Sequence, residues 1–129
     1  MAFQDIQMTY SITASDDKKY IIVKVIGNIS RQLAIQYNLE AHALGKELEI
    51  NRFLLDFTEC KNTDTVLRNY KYVYDDMKNP GINQSARTAM LVSPSDHSHD
   101  FIEALFKDAG ADVTIFNDLE LALWHLLQK

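Results

Sequence analysis

Asp96, His97, Ser98, His99 and Asp100 put four metal-ligating or proton-carrying side chains into five consecutive residues. Such a cluster invites zinc coordination or general-base chemistry. Helical geometry opposes both, because residues one and two apart on a helix point in different directions, so His97 and His99 would not share an ion. Acidic residues at a helix start are favoured by the dipole alone. His42 and His125, the remaining histidines, have no ligand spacing. Cys60 sits near the C-terminal end of a strand, a common place for sites in α/β sheets. No residue near it in sequence supplies a base or lowers its pKa, and a partly buried spectator thiol is the expectation. Arg68, Tyr70, Lys71, Tyr72 and Tyr74 mix bases with aromatics in the manner of a nucleic-acid stacking surface. Asp75 and Asp76 follow at once and oppose phosphate binding. Gly-rich phosphate loops, a Gly-x-Ser-x-Gly elbow and a His-Glu-x-x-His motif are absent, so no catalytic, cofactor or metal site is expected.

Composition bounds the scaffold that would position these residues. A chain of 129 residues fits one domain, 1–129, and buries roughly two-thirds of its unfolded surface without help from metals or disulfides. A single cysteine excludes an internal disulfide framework and multi-cysteine zinc patterns, which suits a reducing compartment. The first ten residues lack the basic start and apolar block of a signal peptide, and no run approaches the ~20 apolar residues of a membrane span. The cytoplasm is the expected location. With 13 basic against 18 acidic residues the formal charge is -5, and the bases are not segregated, which argues against a nucleic-acid partner.

The elements read as an alternation. Residues 52–58 are apolar except at their ends and at Asp56; the run is too short for a helix and reads as a central strand buried on both faces. Ahead of it, Met8, Tyr10 and Ile12 alternate with Thr9, Ser11 and Thr13, giving a strand with one wet face. A polar turn at 15–19 leads to a second strand at 20–26, which Gly27 and Asn28 end. Ser30 caps a helix over 31–49, whose Leu33, Tyr37, Ala41, Leu44 and Leu48 share a face and in which Gly45 is a mild weakness. Residues 59–65 read as a polar loop. The second helix carries the stripe Val66, Tyr70, Val73 and Met77, with Tyr72 largely elsewhere, until Asn79, Pro80 and Gly81 end it. A fourth strand covers 89–92. Ser95 or Asp96 caps a third helix holding Phe101, Ile102, Leu105 and Phe106, stopped by Gly110. A fifth strand covers 112–116, and Asn117 or Asp118 starts a last helix with Leu119, Ala122, Leu123 and Leu126 on one face and Leu121 and Trp124 on another. The order predicts an α/β fold: a mixed, mainly parallel five-stranded sheet with an N-terminal β-hairpin and about four helices.

Three stretches carry a family likeness: 20–29, a strand ending in Gly27, Asn28 and Ile29; 54–58, the central strand; and the tail, with Arg87 to Val92, Phe101 to Phe106 and Val113 to Trp124. Together they resemble STAS domains, which include the bacterial anti-sigma-factor antagonists, and look most like a divergent branch of small bacterial STAS-like proteins. The resemblance implies a non-enzymatic regulatory module that binds another protein. In the antagonists the loop after the central strand carries an Asp-Ser pair whose serine is phosphorylated at the start of the next helix; counted from Asp56, the matching positions are Asp64 and Thr65. Lys61, Asn62 and Thr63 precede the pair and Val66 and Leu67 follow it, where the family has apolar residues before and Ser then Gly after. Thr63, Asp64 and Thr65 are also competent N-caps, and capping is what their residue types favour by themselves.

The implied recognition surface runs from Thr58 to Asp64 and Thr65 and onto the second helix. Its partner would be a regulator or kinase, or a second copy of the chain in a homodimer. A competing expectation is an apolar pocket between sheet and helices, lined by Tyr37, Tyr70, Phe101 and Phe106, for a small or lipid-like ligand. Trp124 beside Leu121 reads either as an interface patch or as a side chain folded back on the core.

Overall fold

In the computed structural model, which describes residues 9–129, the chain opens on a hairpin. β1 (Thr9–Ala14) runs antiparallel to β2 (Ile21–Ile29), with Lys18 in the left-handed conformation at the turn. Tyr10 and Ile12 turn inward while Thr9, Ser11 and Thr13 stay exposed, as the alternation predicts; Met8 lies outside the described residues. β2 does not stop at Gly27 and Asn28. Its register against the next strand shifts between Lys24 and Ile26, Gly27 takes φ +107°, and pairing resumes to Ile29. The extra residue of the bulge lies on β3, between Asp56 and Glu59, and just beyond it Gly27 takes a φ that suits a residue without Cβ, so the predicted breaker is an internal kink.

β3 (Arg52–Asn62) also outruns its expected length: Glu59, Cys60, Lys61 and Asn62, read in the sequence as loop, pair in parallel with Ile26, Gly27, Asn28 and Ile29. Parallel β4 (Arg87–Leu91) and β5 (Asp112–Phe116) complete a sheet ordered β1-β2-β3-β4-β5. The crossovers α1 (Arg31–Leu48), α2 (Val66–Tyr74, followed by a 3-10 turn at Asp76–Lys78) and α3 (Asp100–Asp108) each link one parallel strand to the adjacent one. Right-handed crossovers stepping in one direction put all three helices on the same face. α4 (Leu119–Leu126) comes after the last strand and packs on the other face. β3 is therefore buried on both sides: Phe53, Leu55 and Phe57 join the large core under α1, α2 and α3, while Leu54 joins Ala89, Leu91, Ala122 and Leu126 under α4. Among the described residues no helix is long and apolar enough to cross a membrane.

Several helix faces differ from the apolar stripes. α1 buries Ala34, Tyr37, Asn38, Ala41, His42 and Gly45 and leaves Leu48 exposed. Asn38 and His42 tolerate burial because they are satisfied: Asn38 Nδ2 donates to Ala34 O at 3.0 Å and also to the Tyr72 hydroxyl, and His42 Nδ1 accepts from Asn83 N–H at 3.0 Å while its ring stacks on Phe53. α2 buries Asn69, Tyr72 and Val73, so Tyr72 is in the core and Val66 and Tyr70 are outside it. α3 starts later than Ser95 or Asp96, at Asp100, with His99 at the cap position making no side-chain cap bond. α4 starts where read: Asp118 Oδ1 accepts from Leu121 N–H at 3.2 Å. It turns Ala122 and Leu126 inward, while Leu119 and Trp124 face solvent.

Gly45 is a requirement of the fold. A Cβ there would lie 2.6 Å from Ile50 O and 3.0 Å from Phe53 Cζ, where α1 closes onto β3. Helix propensity alone would make Gly45→Ala stabilising by about 1 kcal/mol; the close approach reverses the sign, and urea denaturation should show a loss of roughly 1–3 kcal/mol.

Candidate functional site

β4 accompanies β3 only as far as Asp56, which pairs with Leu91. Beyond that point the β4-side edge of β3 has no strand beside it, and its backbone groups need other partners. Side chains of the segment leading into α3 supply them. Ser93 Oγ donates to Thr58 O at 3.0 Å, His99 Nε2 lies 3.2 Å from Cys60 O, and Asn62 N–H donates to Ser98 Oγ at 3.0 Å. Asp96 holds the segment together: its Oδ1 accepts from Ser98 N–H at 2.9 Å and lies 3.6 Å from Lys61 Nζ, and its Oδ2 is 3.4 Å from His99 Nε2. Burial raises the Asp96 pKa, but these donors outweigh it and hold the carboxylate below its usual range. The cluster that looks like a metal site in the sequence is thus a clasp on a strand end. His97 stands apart, exposed, with Asp100 Oδ2 at 3.1 Å. No group of three or more His, Cys, Asp and Glu among the described residues is placed to hold a metal.

The pinned strand end sets two helix starts. Asn62 Oδ1 accepts from Asp64 N–H at 3.1 Å and Asn62 Nδ2 donates to Asn69 Oδ1 at 2.8 Å. Asp64 turns its carboxylate to the first amide of α1, accepting from Arg31 N–H at 2.7 Å, with Arg68 Nε 3.8 Å from its other oxygen. Thr65 caps α2, its Oγ1 accepting from Arg68 N–H at 3.1 Å, and the residue is exposed. Asp64 and Thr65 therefore serve the N-termini of two different helices. Beside them Val66 (68% exposed), Leu67 (60%) and Tyr70 (50%) form an apolar strip along the outer side of α2.

Thr58 is not with this pair. It lies within β3, half-buried, with its hydroxyl donating to Asp56 Oδ1 at 2.6 Å, and it lines a shallow polar cleft with Lys61, Ser93 and Ser95. Asp56 Oδ2 is 3.3 Å from Lys24 Nζ, which reaches Glu59 Oε2 at 2.8 Å. Burial raises the Asp56 pKa, and its bonds to Thr58 and Lys24 more than offset this. Cys60 is fully buried, and burial pushes its thiol up to about 12, which leaves no thiolate for nucleophilic chemistry at neutral pH.

Beneath α2 lies a cavity of about 140 Å³ bounded by the sheet, α1 and α3. Tyr37 and Phe106 line it as the sequence suggests; Tyr70 and Phe101 do not, being half-exposed on the outer surface. Its other walls include Phe57, Tyr72, Met90 and Ile102, with the polar groups Asn38, Asn69, His42 and His99 among them, none of which hydrophobic periodicity marks as lining a pocket. The α4 patch of Leu121 and Trp124 is exposed.

Two measurements follow from this geometry. In Ser98→Ala the amide of Asn62 loses its acceptor; hydrogen exchange at Asn62 should quicken selectively, with a stability loss of about 1 kcal/mol. Burial lowers the His42 pKa to about 4, and protonated Nδ1 would face the Asn83 N–H. Between the unfolded value near 6.5 and about 4 the unfolded chain carries a proton that the folded chain lacks, so stability is complete above that window and falls as pH drops through it. Urea denaturation at pH 7, 6 and 5 should show a slope about 1 kcal/mol per pH unit steeper in wild type than in His42→Asn, which keeps an acceptor but does not titrate.

The architecture is shared with known structures. The chain is similar to an uncharacterised protein of the DUF3478 family with a SpoIIAA-like fold from Shewanella loihica PV-4 (18% identity, 98% of each chain covered, TM-score 0.56). It is also similar to an anti-sigma factor antagonist from Mycobacterium paratuberculosis (12% identity, covering 94% of this chain and 95% of that one, TM-score 0.59). A third likeness is to the anti-sigma factor antagonist SpoIIAA in its unphosphorylated form (9% identity, covering 91% and 96%, TM-score 0.52). No protein-family model and no curated protein matches the chain. The fold is STAS or SpoIIAA-like, and the sequence resemblance to STAS domains holds at that level.

Proposed function

We propose that this chain is a non-enzymatic regulatory module of the cytoplasm that binds a protein partner through the first turns of α2 and is switched by phosphorylation of Thr65. The observation that carries this reading is the strip of Val66, Leu67 and Tyr70, apolar and exposed immediately beside the Thr65 hydroxyl. Exposed apolar groups of this kind mark contact surfaces, where tyrosine and leucine bury well against a partner. Kinship of fold with two anti-sigma factor antagonists supports a protein partner, a regulator or a kinase, over a chemical substrate. A second copy of the chain is the remaining candidate.

A phosphate on Thr65 would sit at the positive end of α2, within the same turn as Arg68. It would compete with Asp64 for Arg68 and place a second anion beside the carboxylate that holds Arg31 N–H. The strip on α2 would then adjoin a dianion, and an apolar partner surface would lose affinity. Thr58 takes part through the strand: it shares β3 with Asn62, whose side chain positions Asp64.

The test is affinity capture from cells of the native source with wild type, Thr65→Asn and Thr65→Glu. Asn keeps the cap and removes the modifiable hydroxyl, while Glu adds charge at the helix start. One protein should be recovered with wild type and Thr65→Asn and be depleted with Thr65→Glu, and intact-mass spectra should show a species heavier by one phosphate in wild type only. Equal recovery with all three, or no phosphorylated species under any growth condition, would sink the switch.

A further inference from the structure

The cavity beneath α2 is unused by the recognition surface. We infer that it is a binding site for a small, uncharged, mostly apolar molecule of one- or two-ring size that carries an O–H or N–H donor.

Its size comes first. About 140 Å³ exceeds the room that one or two ordered waters need, and an apolar cavity of about 150 Å³ accepts benzene. The walls are Tyr37, Phe57, Tyr72, Met90, Ile102 and Phe106, an apolar and largely aromatic surface suited to a flat ring. The space exists because α2 rests on α1 and α3. Hydrogen bonds between Asn38 and Tyr72 and between Asn62 and Asn69 fix it there.

His99 gives the occupant its chemistry. The ring is 1% exposed, forms part of the wall and stacks on Phe57 with centroids 4.9 Å apart. Its Nε2 lies 3.2 Å from Cys60 O, a carbonyl that can only accept, so the proton sits on Nε2 and Nδ1 presents a lone pair. Nδ1 is buried and has no partner among the described residues. A buried acceptor left unpaired is destabilising, and a donor on a bound molecule would satisfy it. Formal charge on the occupant is disfavoured: burial lowers the pKa of His99 and of His42, which keeps both rings neutral, and among the described residues Lys78 is the one charged side chain on the cavity wall, where it is exposed. Lys78, Gln84 and Gly110, all exposed, also line the cavity and give it a solvent side.

The experiment compares phenol with toluene, two rings of nearly equal size of which only phenol donates. Binding is followed through the methyl NMR signals of Met90, Val73 and Ile102 in wild type, in His99→Gln and in Ala34→Leu. Gln keeps a donor toward Cys60 O and removes the ring acceptor; Leu fills space from α1. Phenol should shift those methyl signals in wild type with an affinity about tenfold above toluene, the worth of one hydrogen bond. His99→Gln, whose Oε1 lies away from the position of Nδ1, should lose most of that preference, and Ala34→Leu should weaken both. The inference is overturned if neither ring moves the cavity methyls, or if wild type binds the two rings equally. The wild-type ratio decides by itself should either variant fail to fold.

Discussion

A parallel strand that outruns its neighbour must find other partners for its backbone, and β3 outruns β4 at Asp56. Ser93, Ser98 and His99 answer that need with a hydroxyl, a second hydroxyl and an imidazole in place of a further strand. Everything that gives this face of the molecule its character follows from the substitution. Asn62 is held at the strand end, Asn62 sets Asp64, and Asp64 and Thr65 set the starts of α1 and α2. An ordinary strand in that place would have paired the same backbone with amides and carbonyls and left no imidazole wall behind it.

The helix layer shows a second departure from maximal packing. α1 is joined to the 3-10 turn after α2 by the paired bonds of Arg31 to Asp76, at 2.6 and 2.9 Å, and to α2 itself by Asn38 with Tyr72. Directional bonds of this kind set the spacing of α2 from its neighbours, where apolar contacts alone would draw it down onto Phe57 and Met90. On the opposite face α4 lays Ala122 and Leu126 on Leu54, Ala89 and Leu91, and its C-terminal carbonyls are tied to the sheet by Arg52 of β3, which donates to Leu126 O, and Arg87 of β4, which donates to His125 O. The polar ties on this side therefore run from helix to strand, whereas on the other side they run between helices.

Where local chemistry decides, the chain was legible before its structure. Ser30 was readable as a cap, Asn117 or Asp118 as the start of the last helix, residues 112–116 as a strand, and the alternation of β1 as a half-wet strand. Legibility failed where polar residues are buried by partners distant in sequence. Asn38, His42, Asn69 and Tyr72 point inward because each meets a group on another element, and an apolar stripe counts none of them. The extension of β3 through Glu59, Cys60, Lys61 and Asn62 was hidden for the same reason, since its partners on one edge are side chains some 35 to 39 residues later. For the candidate site, Asp64 and Thr65 could be placed at a helix start, but that Asp64 serves α1 instead of α2 is a tertiary fact. Thr58 was read as the last residue of the central strand, where the recognition surface begins, and is mid-strand.

The clasp on β3 also orders events in time. On a ribosome adding about 5–20 residues per second, the strand end at Asn62 is made seconds before Ser93, Ser98 and His99 are. Through that interval the strand end can pair only with β2 while its other edge stays open, and Asp64 has no fixed position from which to hold the first turn of α1. The α2 layer and the space beneath it are therefore late products of synthesis, closed when the segment before α3 leaves the exit tunnel, and a nascent chain halted between β4 and α3 carries a hairpin, a helix and a frayed third strand.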